Sequence, residues 1–441
     1  MIPLTSLSKR FAMVFVLTLT CATGWSKLPT LDREQAQGML ESVASDVRKY
    51  YYDPKLHGID WDAQVGVAKN AIALADSWDV ARLDIAALLE KLNDSHTYFV
   101  PPPYPIREDY GWQFQMVGDR CYVVRVRPKS DAEAKGLKPG DEVLTIEGFT
   151  PTRVSLPKIE YVLHVLRPMS GLEVGLRDSA GKPRLVNAAA NVRQTRAITD
   201  LAEMTGRDTQ VLRLEHEEQK HLMRPRYKEL DGELLIVKFP AFFVQDIAID
   251  EIVSKARKHK NLILDLRGNG GGPQATLQRL LGGLFDHEVK IADIVSRDKT
   301  TSLETQTDRR DSFSGNLIVL VDSASSSASE LLAKVVQIQK RGTVLGDRTS
   351  GRVMEAKFYP HQTGSSTVLF YGAMVSAANL IMTDGKSLEN VGVTPDQLVL
   401  PAPEDLGAGR DPVMAKAVEL AGAQLSPEDA GKIFPYEWPA Q

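Results

Sequence analysis

The sequence is poor in cysteine. Its 441 residues contain two, Cys21 and Cys121. Cys21 lies within an N-terminal stretch that has the features of an export signal, and cleavage near Gly24 would leave Cys121 alone and exclude an internal disulfide. We interpret Cys121 as a small buried hydrophobic residue. The eight histidines are scattered and no cysteine–histidine cluster has metal-ligand spacing, so we predict no metal and no cofactor.

An excess of positive charge and a long hydrophobic run are also missing. The net charge is -4, which gives no basic field for nucleic acid. The apolar stretch Phe11–Leu19 is too short for a membrane span. Basic residues precede it and small residues follow, so we predict a signal peptide over 1–24 and an exported protein, periplasmic or secreted, with no membrane span in the mature chain. A lipid anchor at Cys21 is the alternative, although Thr18 and Thr20 fit that signal poorly.

Three zones of different patterning follow. Apolar residues recur every three or four positions from Leu31 to Leu92, which predicts a helical bundle. Short strands fill Tyr110 to Val192, and strands alternate with helices from Leu234 to Leu400, which predicts an α/β layer with a largely parallel sheet. The predicted domains are an N-terminal helical domain (27–105), a β-rich domain (110–195), an α/β core (196–402) and a C-terminal helix with a tail (403–441).

A serine-rich stretch marks a strand-to-helix corner in the core. The run Asn316–Val321 has the composition of a buried parallel strand, and Leu331 and Val335 then repeat at helical spacing. A serine at such a corner lies beside unpaired helix N–H groups, which suits a nucleophile with an adjacent oxyanion site. Helix capping by these serines is the alternative that this stretch alone leaves open.

A second strand runs into a glycine-rich loop. Four glycines lie within residues 268–272, so backbone N–H groups can turn toward an oxyanion or a phosphate. A phosphate-binding loop would need a lysine followed by serine or threonine after the glycines, whereas Pro273 and Gln274 stand there. The phosphate interpretation is therefore discarded.

Together these stretches resemble the carboxyl-terminal processing and tail-specific serine proteases, whose relatives include the tricorn core protease. Three ordered motifs carry the resemblance, Asp265–Gly272, Ser327–Glu330 and Gly346–Gly351, and it extends from about Leu31 to Leu420. It implies an α/β multidomain fold with a crotonase-like ββα catalytic core. It also implies a serine endopeptidase that cleaves proteins or peptides by acyl transfer.

The turn and strand over Gly136–Gly148 resemble a PDZ domain. Such domains add an extended peptide to a sheet edge and hold its terminal carboxylate in a backbone nest. The resemblance implies a nest near Gly111 and Trp112, with protein substrates or their C-terminal tails as partners. The usual Gly-Leu-Gly-Phe-like loop is poorly matched here, and Trp112 could fill the groove itself.

The residue at the position of the general base differs from that in the family's best-known branch, in which a lysine follows the nucleophile by 25 positions. Arg352 stands at that position, and an arginine side chain stays protonated and therefore cannot act as a general base. Tricorn-like relatives instead use a histidine preceded by a serine, with a distant glutamate. The matching residues here are Ser95, His96 and Glu389.

The resemblance then assigns roles. Ser327 is the nucleophile, with Ser325 as second candidate, and His96 is the base. Ser95 fixes the tautomer of His96 and Glu389 orients Ser95. The oxyanion donors are the N–H groups of Ala328 and Gly271, and Arg352 is either a bystander or a ligand for a substrate carboxylate.

Two alternatives remain at this point. A histidine at the position of His96 also occurs in lysine-using members of the family, where it is structural. Glu389 could be a turn residue. A catalytically inactive peptide-binding or scaffolding protein that retains the protease fold is the rival function. Arg352 favours this rival, whereas the intact set of Ser95, His96, Ser327 and Glu389 opposes it.

Overall fold

The computed structural model describes residues 27–194, 217–306, 311–364 and 368–439. The predicted signal peptide lies outside them. Within these ranges no helix has the length and apolar character needed to cross a membrane. The architecture is mixed α/β with several layers, as predicted.

Three helices form the N-terminal region: α1 (Thr30–Tyr50), α2 (Trp61–Leu74) and α3 (Trp78–Leu89). The side chains of Asp60 and Ser77 accept hydrogen bonds from the first turns of α2 and α3, which fixes where these helices begin. The apolar face of α1 does not pack on helices alone. Residues of a distant strand, including Tyr371 and Val375, join the same buried cluster.

The middle of the chain forms an antiparallel five-stranded sheet in the order β3-β4-β5-β6-β7. Its core also takes in Leu156 and Ile159 of α5 and Leu163 of the π-helical turn Val162–Leu166 that follows. The strands and helices are β3 (Trp112–Val117), β4 (Arg120–Val126), α4 (Asp131–Ala134), β5 (Glu142–Ile146), α5 (Leu156–Tyr161), β6 (Gly171–Arg177) and β7 (Pro183–Ala189). A two-stranded ribbon pairs β2 (Ile106–Asp109) with β8 (Asn191–Gln194) at the ends of this region.

The core contains a six-stranded sheet in the order β18-β15-β14-β11-β10-β9. Only β9 (Arg226–Leu230) runs antiparallel to its neighbour. The parallel strands are β10 (Leu234–Lys238), β11 (Asn261–Asp265), β14 (Asn316–Val321), β15 (Thr343–Gly346) and β18 (Gln397–Leu398). Three helices, α6 (Asp246–Ala256), α7 (Gln274–Leu284) and α8 (Ala328–Ile338), contribute to the buried cluster on one face, and α10 (Pro412–Leu420) contributes to the cluster on the other.

The register of this sheet explains why the three motifs meet. Asp265 of β11 lies opposite Leu320 of β14, and Val321 lies opposite Gly346 of β15. These three neighbouring parallel strands therefore end at one edge, where their loops lie side by side.

A second, antiparallel sheet completes the core. Its strands are β1 (Tyr98–Val100), β12 (Lys290–Ser296), β13 (Thr300–Glu304), β16 (Met354–Thr363) and β17 (Leu369–Met382). β1 pairs with β17, and Tyr98 lies opposite Met374. The residues just before β1 are thereby carried into the core. Two short helices, α9 (Pro403–Ala408) and α11 (Pro427–Ala430), flank α10 near the end of the chain.

Candidate active site

Ser327 lies at the start of α8 with an unusual backbone. Its φ of 57° and ψ of -118° place a non-glycine residue in a sparsely populated region that costs on the order of 1–3 kcal/mol. Two contacts hold this conformation: the Ser327 N–H donates to the carbonyl of Arg352 and to the carboxylate of Glu330, each at 3.0 Å. The loop that follows β15, which contains Arg352, thus helps to hold the backbone conformation of Ser327.

Glu330 organises that loop. It is fully buried and accepts hydrogen bonds from the Thr349 hydroxyl (2.6 Å) and the Gly351 N–H (2.7 Å). It also accepts from the N–H groups of Arg352 and Ser327. Burial raises the pKa of Glu330, and these donors act in the opposite direction. This role of Glu330 was not predicted from the sequence, although a glutamate three residues after a serine is the pattern of a capping box.

The glycine loop after β11 packs directly on the nucleophile. A Cβ atom added to Gly271 would lie 2.7 Å from the Cβ of Ser327, and Gly271 has a φ of +90°. Any side chain here would displace Ser327. Ser326 fixes the contact, since its N–H donates to Asn269 and its hydroxyl donates to Gly270, both at backbone carbonyls.

The predicted oxyanion donors differ in their availability. No described residue accepts a hydrogen bond from the Ala328 N–H, which lies 3.0 Å from the position of a Cβ on Gly271. The Gly271 N–H instead donates to the side-chain oxygen of Asn269 at 2.8 Å. The Gly271 N–H is therefore occupied in this structure, because the Asn269 side chain turns back onto its own loop, and its role as an oxyanion donor stays a prediction.

The region before β1 brings the predicted base and its partners together. Asp94 accepts from the N–H groups of His96 and Thr97, which forms a tight turn. The Ser95 hydroxyl is 2.7 Å from His96 Nδ1 and donates to Glu389 at 2.9 Å. Glu389 also accepts from the Ser95 N–H (2.7 Å). The three predicted residues thus form one continuous hydrogen-bonded chain.

This chain determines the tautomer of His96. An ionised Glu389 can only accept hydrogen bonds. The Ser95 hydroxyl therefore donates its single hydrogen to Glu389 and can only accept a hydrogen bond from His96. The proton of neutral His96 then lies on Nδ1, which leaves Nε2 free to take a proton. The hydroxyl of Ser327 makes no hydrogen bond to the His96 ring in the described structure.

Arg352 joins the two halves of the site. Its backbone carbonyl accepts from the Ser327 N–H, and its guanidinium donates to the carbonyl of Ser95 at 3.2 Å. Burial together with the positive charge of Arg352 lowers the pKa of His96 to about 4, which keeps the imidazole neutral at neutral pH. Arg352 thus contacts the site through both its backbone and its side chain, and its role there stays a prediction.

The hydroxyl of Ser325, the second candidate nucleophile, is hydrogen-bonded inside the protein. It is fully buried, and its hydroxyl donates to the Leu266 carbonyl and accepts from the Asp322 N–H. A hydroxyl used inside the corner is not available to a substrate.

Gly111 and Trp112 lie apart from the corner, at the start of β3. The Gly111 N–H donates to the Asp109 side chain, and its carbonyl accepts from the Arg127 N–H. Trp112 is buried in the same cluster as Ile159 and Leu163. The predicted nest therefore has no free N–H at Gly111. The same strand nevertheless reaches the corner, because Gln115 donates to Asp322 at 2.8 Å.

Comparisons with known protein families match two parts of the chain. The family model described as peptidase family S41 matches residues 233–399, and the model of the tricorn protease C1 domain matches residues 32–64. The first range contains the glycine loop, the Ser327 corner and Glu389. Ser95 and His96 lie outside both ranges.

Two curated relatives and one crystal structure show the extent of the similarity. A tricorn protease homolog of Streptomyces coelicolor is 24% identical over 397 residues, covering 85% of this chain and 31% of the relative. Chloroplastic carboxyl-terminal-processing peptidase 1 of Arabidopsis thaliana is 25% identical over 384 residues, covering 83% of this chain and 72% of the relative. The crystal structure of mature CPAF has a TM-score of 0.63 at 14% identity, over 86% of this chain and 94% of that chain, so the fold is shared. The chain spans less than a third of the tricorn homolog.

Proposed function

Because the chain belongs to peptidase family S41, the family of the carboxyl-terminal processing and tail-specific proteases, we propose that it is a serine endopeptidase acting through Ser327. The observation that carries this proposal is the hydrogen-bonded chain from Glu389 through Ser95 to His96. A serine hydroxyl needs a neighbouring base, and this chain supplies one without a lysine.

The reaction proceeds by acyl transfer. His96 Nε2 takes the proton of the Ser327 hydroxyl while the oxygen attacks the peptide carbonyl, and the imidazolium then gives the proton to the leaving amine. Water, activated by the same imidazole, releases the acyl group. Because His96 and Ser327 are not hydrogen-bonded here, the contact between them closes when substrate binds.

The developing oxyanion is stabilised at the corner. The free N–H of Ala328 is the first donor, and the positive end of α8 adds to it. The Gly271 N–H becomes a second donor when it exchanges its bond with Asn269 for the oxyanion. Removing one such donor typically costs about 10²–10³-fold in turnover.

The remaining parts complete the proposal. The five-stranded sheet over 112–189, with α5 in its core, supports a PDZ-like domain that receives protein or peptide substrates. The occupied N–H at Gly111 means that capture of a terminal carboxylate requires a rearrangement there. The export signal over 1–24 supports a periplasmic or secreted location.

Labelling with a fluorophosphonate probe tests the proposal. We expect a stoichiometric adduct on Ser327, and loss of the adduct and of peptide hydrolysis in Ser327→Ala. Ser314→Ala, at an exposed serine just before β14, is the control and should keep its activity. An adduct on another serine would refute Ser327. A folded chain with neither adduct nor hydrolysis would support the inactive scaffold instead.

A further inference from the structure

The segment Phe434–Pro439, called here the tail segment, lies between two arginine-bearing parts of the molecule. On one side are Arg125 and Arg127 of the β-rich domain. On the other side are residues 221–226, at the start of β9 in the core. The tail segment therefore contacts both the β-rich domain and the core.

Aromatic residues alternate with other types along the tail segment. Phe434, Tyr436 and Trp438 each carry an arginine guanidinium over the ring, at 5.5 Å for Arg226, 4.3 Å for Arg125 and 4.7 Å for Arg127. These are cation–π contacts, which are stronger where water is excluded. The Tyr436 and Trp438 rings also meet edge to face with centroids 5.0 Å apart.

Glu437, which lies between Tyr436 and Trp438 in the chain, contacts a second set of basic residues. Glu437 lies 3.3 Å from Arg224, 3.4 Å from Arg226 and 3.3 Å from His221. Two backbone carbonyls are held as well, Pro435 by Arg226 (2.8 Å) and Pro439 by Arg127 (3.0 Å). The aromatic rings, the carboxylate and the backbone are each recognised by separate groups.

This surface is distinct from the predicted carboxylate nest. Gln113 and Arg125 are register partners on β3 and β4, so their side chains share one face of the sheet, and Gln113 donates to the Tyr436 hydroxyl. Trp112, the neighbour of Gln113 on the strand, points to the opposite face and into the core. Arg127 is buried, and its Nε has no partner among the described residues, so the surface keeps an unused donor.

We propose that this arginine-lined surface is a peptide-binding site for an aromatic–acidic–aromatic run, and that the tail segment occupies it in cis. A protein substrate with such a run must displace the tail segment before it binds to this surface. The site adds a recognition surface to the proposed function, but it exists whether or not Ser327 is the nucleophile.

Binding in trans tests this proposal on the full chain carrying Ser327→Ala, so that no cleavage intervenes. The probe is a fluorescent peptide with the sequence of residues 433–439. Tyr436→Ala with Trp438→Ala vacates the surface, and we expect this variant to bind the probe at least about tenfold more tightly than the parent, whose own tail segment competes at high effective concentration.

Two further variants establish where the probe binds. Adding Arg125→Ala and Arg127→Ala to the vacated chain should abolish this gain, whereas Arg120→Ala, an exposed residue of the same strand, should leave it intact. Circular dichroism verifies that each variant is folded. Equal affinity of the parent and the vacated chain, or a gain that survives loss of both arginines, would overturn the proposal. Hydrolysis measured separately on chains with Ser327 distinguishes failure of this site from failure of the catalytic proposal.

Discussion

Arg352 occupies the place of a lysine base, and its charge changes the working range of His96. Burial opposes protonation of the His96 imidazole, and the guanidinium of Arg352 acts in the same direction. The pKa of His96 is therefore about 4, so the proposed base stays neutral well below neutral pH. On the proposed function, Arg352 is a positioning residue that acts through His96 although it cannot itself accept a proton.

Arg352→Gln tests this function through the pH profile of kcat/KM. Removing the positive charge raises the pKa of His96, so the acidic limb of the profile should move to higher pH, and activity at pH 5 should fall relative to pH 7. Arg348→Gln removes an exposed arginine from the same loop and should leave the limb unchanged. His96→Ala should reduce kcat by at least about 10²-fold across the profile. An unshifted limb in Arg352→Gln would contradict the electrostatic role.

Residues whose roles follow from a sequence motif could be predicted, whereas contacts that depend on a rotamer or on residues far along the chain could not. Ser95, His96 and Glu389 were located because the resemblance assigns a role to each type in its motif. The occupied N–H of Gly271 was not foreseen, because it depends on the rotamer of Asn269. The tail segment was also missed, since its alternating aromatic residues acquire meaning only beside arginines more than 200 positions away.

At the scale of elements, the start of α8 depends on one carboxylate. Glu330 holds the loop after β15, and the same loop holds Ser327 in its strained conformation. The sequence predicted the strand, the corner and the helix from periodicity. It did not predict that a buried charge at the third helical position would tie the helix to the neighbouring loop, because such a tie is a tertiary contact.

Glu330→Gln should damage the corner while preserving side-chain volume. An amide offers one acceptor oxygen where the carboxylate offers two, and its NH₂ would face backbone donors. We expect a loss of roughly 2–3 kcal/mol in stability, and turnover should fall by at least about 10²-fold. Denaturant titration and peptide hydrolysis measure the two effects. Glu355→Gln, whose carboxylate accepts one long hydrogen bond from Gln274, is the control that should change little.

At the scale of the whole molecule, a buried ion pair fastens the β-rich domain to the core. Arg153 makes two hydrogen bonds to Asp347, at 2.7 and 2.6 Å, and their side chains are 14% and 8% exposed. Asp347 follows β15 directly and begins the loop that reaches Arg352. Burial raises the pKa of Asp347, and the charge of Arg153 opposes that rise.

Arg153→Ala leaves the Asp347 carboxylate buried with fewer partners. Breaking such a pair costs roughly 3 kcal/mol, so the midpoint of thermal unfolding should fall by several degrees, and hydrolysis should weaken as the loop loosens. Calorimetry measures the midpoint. Lys158→Ala removes a more exposed interdomain pair with Glu90 and should shift the midpoint by less than a third as much. Equal shifts of the unfolding midpoint in the two variants would show that the Arg153–Asp347 pair contributes no more to stability than the exposed pair.

The helical region predicted for residues 27–105 also depends on distant parts of the chain. Its buried cluster includes Tyr371 and Val375 of β17, and β1 pairs with that strand. Local periodicity identified the helices correctly. It could not show that His96, just before β1, is positioned by the pairing of β1 with a strand far along the chain.

The span of the Glu389–Ser95 hydrogen bond has a consequence for the protein's biosynthesis. Its two residues are 294 positions apart, and the nucleophile lies between them. At translation rates of about 5–20 residues per second, Glu389 emerges roughly 15–60 seconds after Ser95. Until then the proposed base, His96, has no orienting partner, so we expect a partly made or unfolded chain to be inert. On the proposed function, the cell is therefore not exposed to proteolysis while this polypeptide is being synthesised.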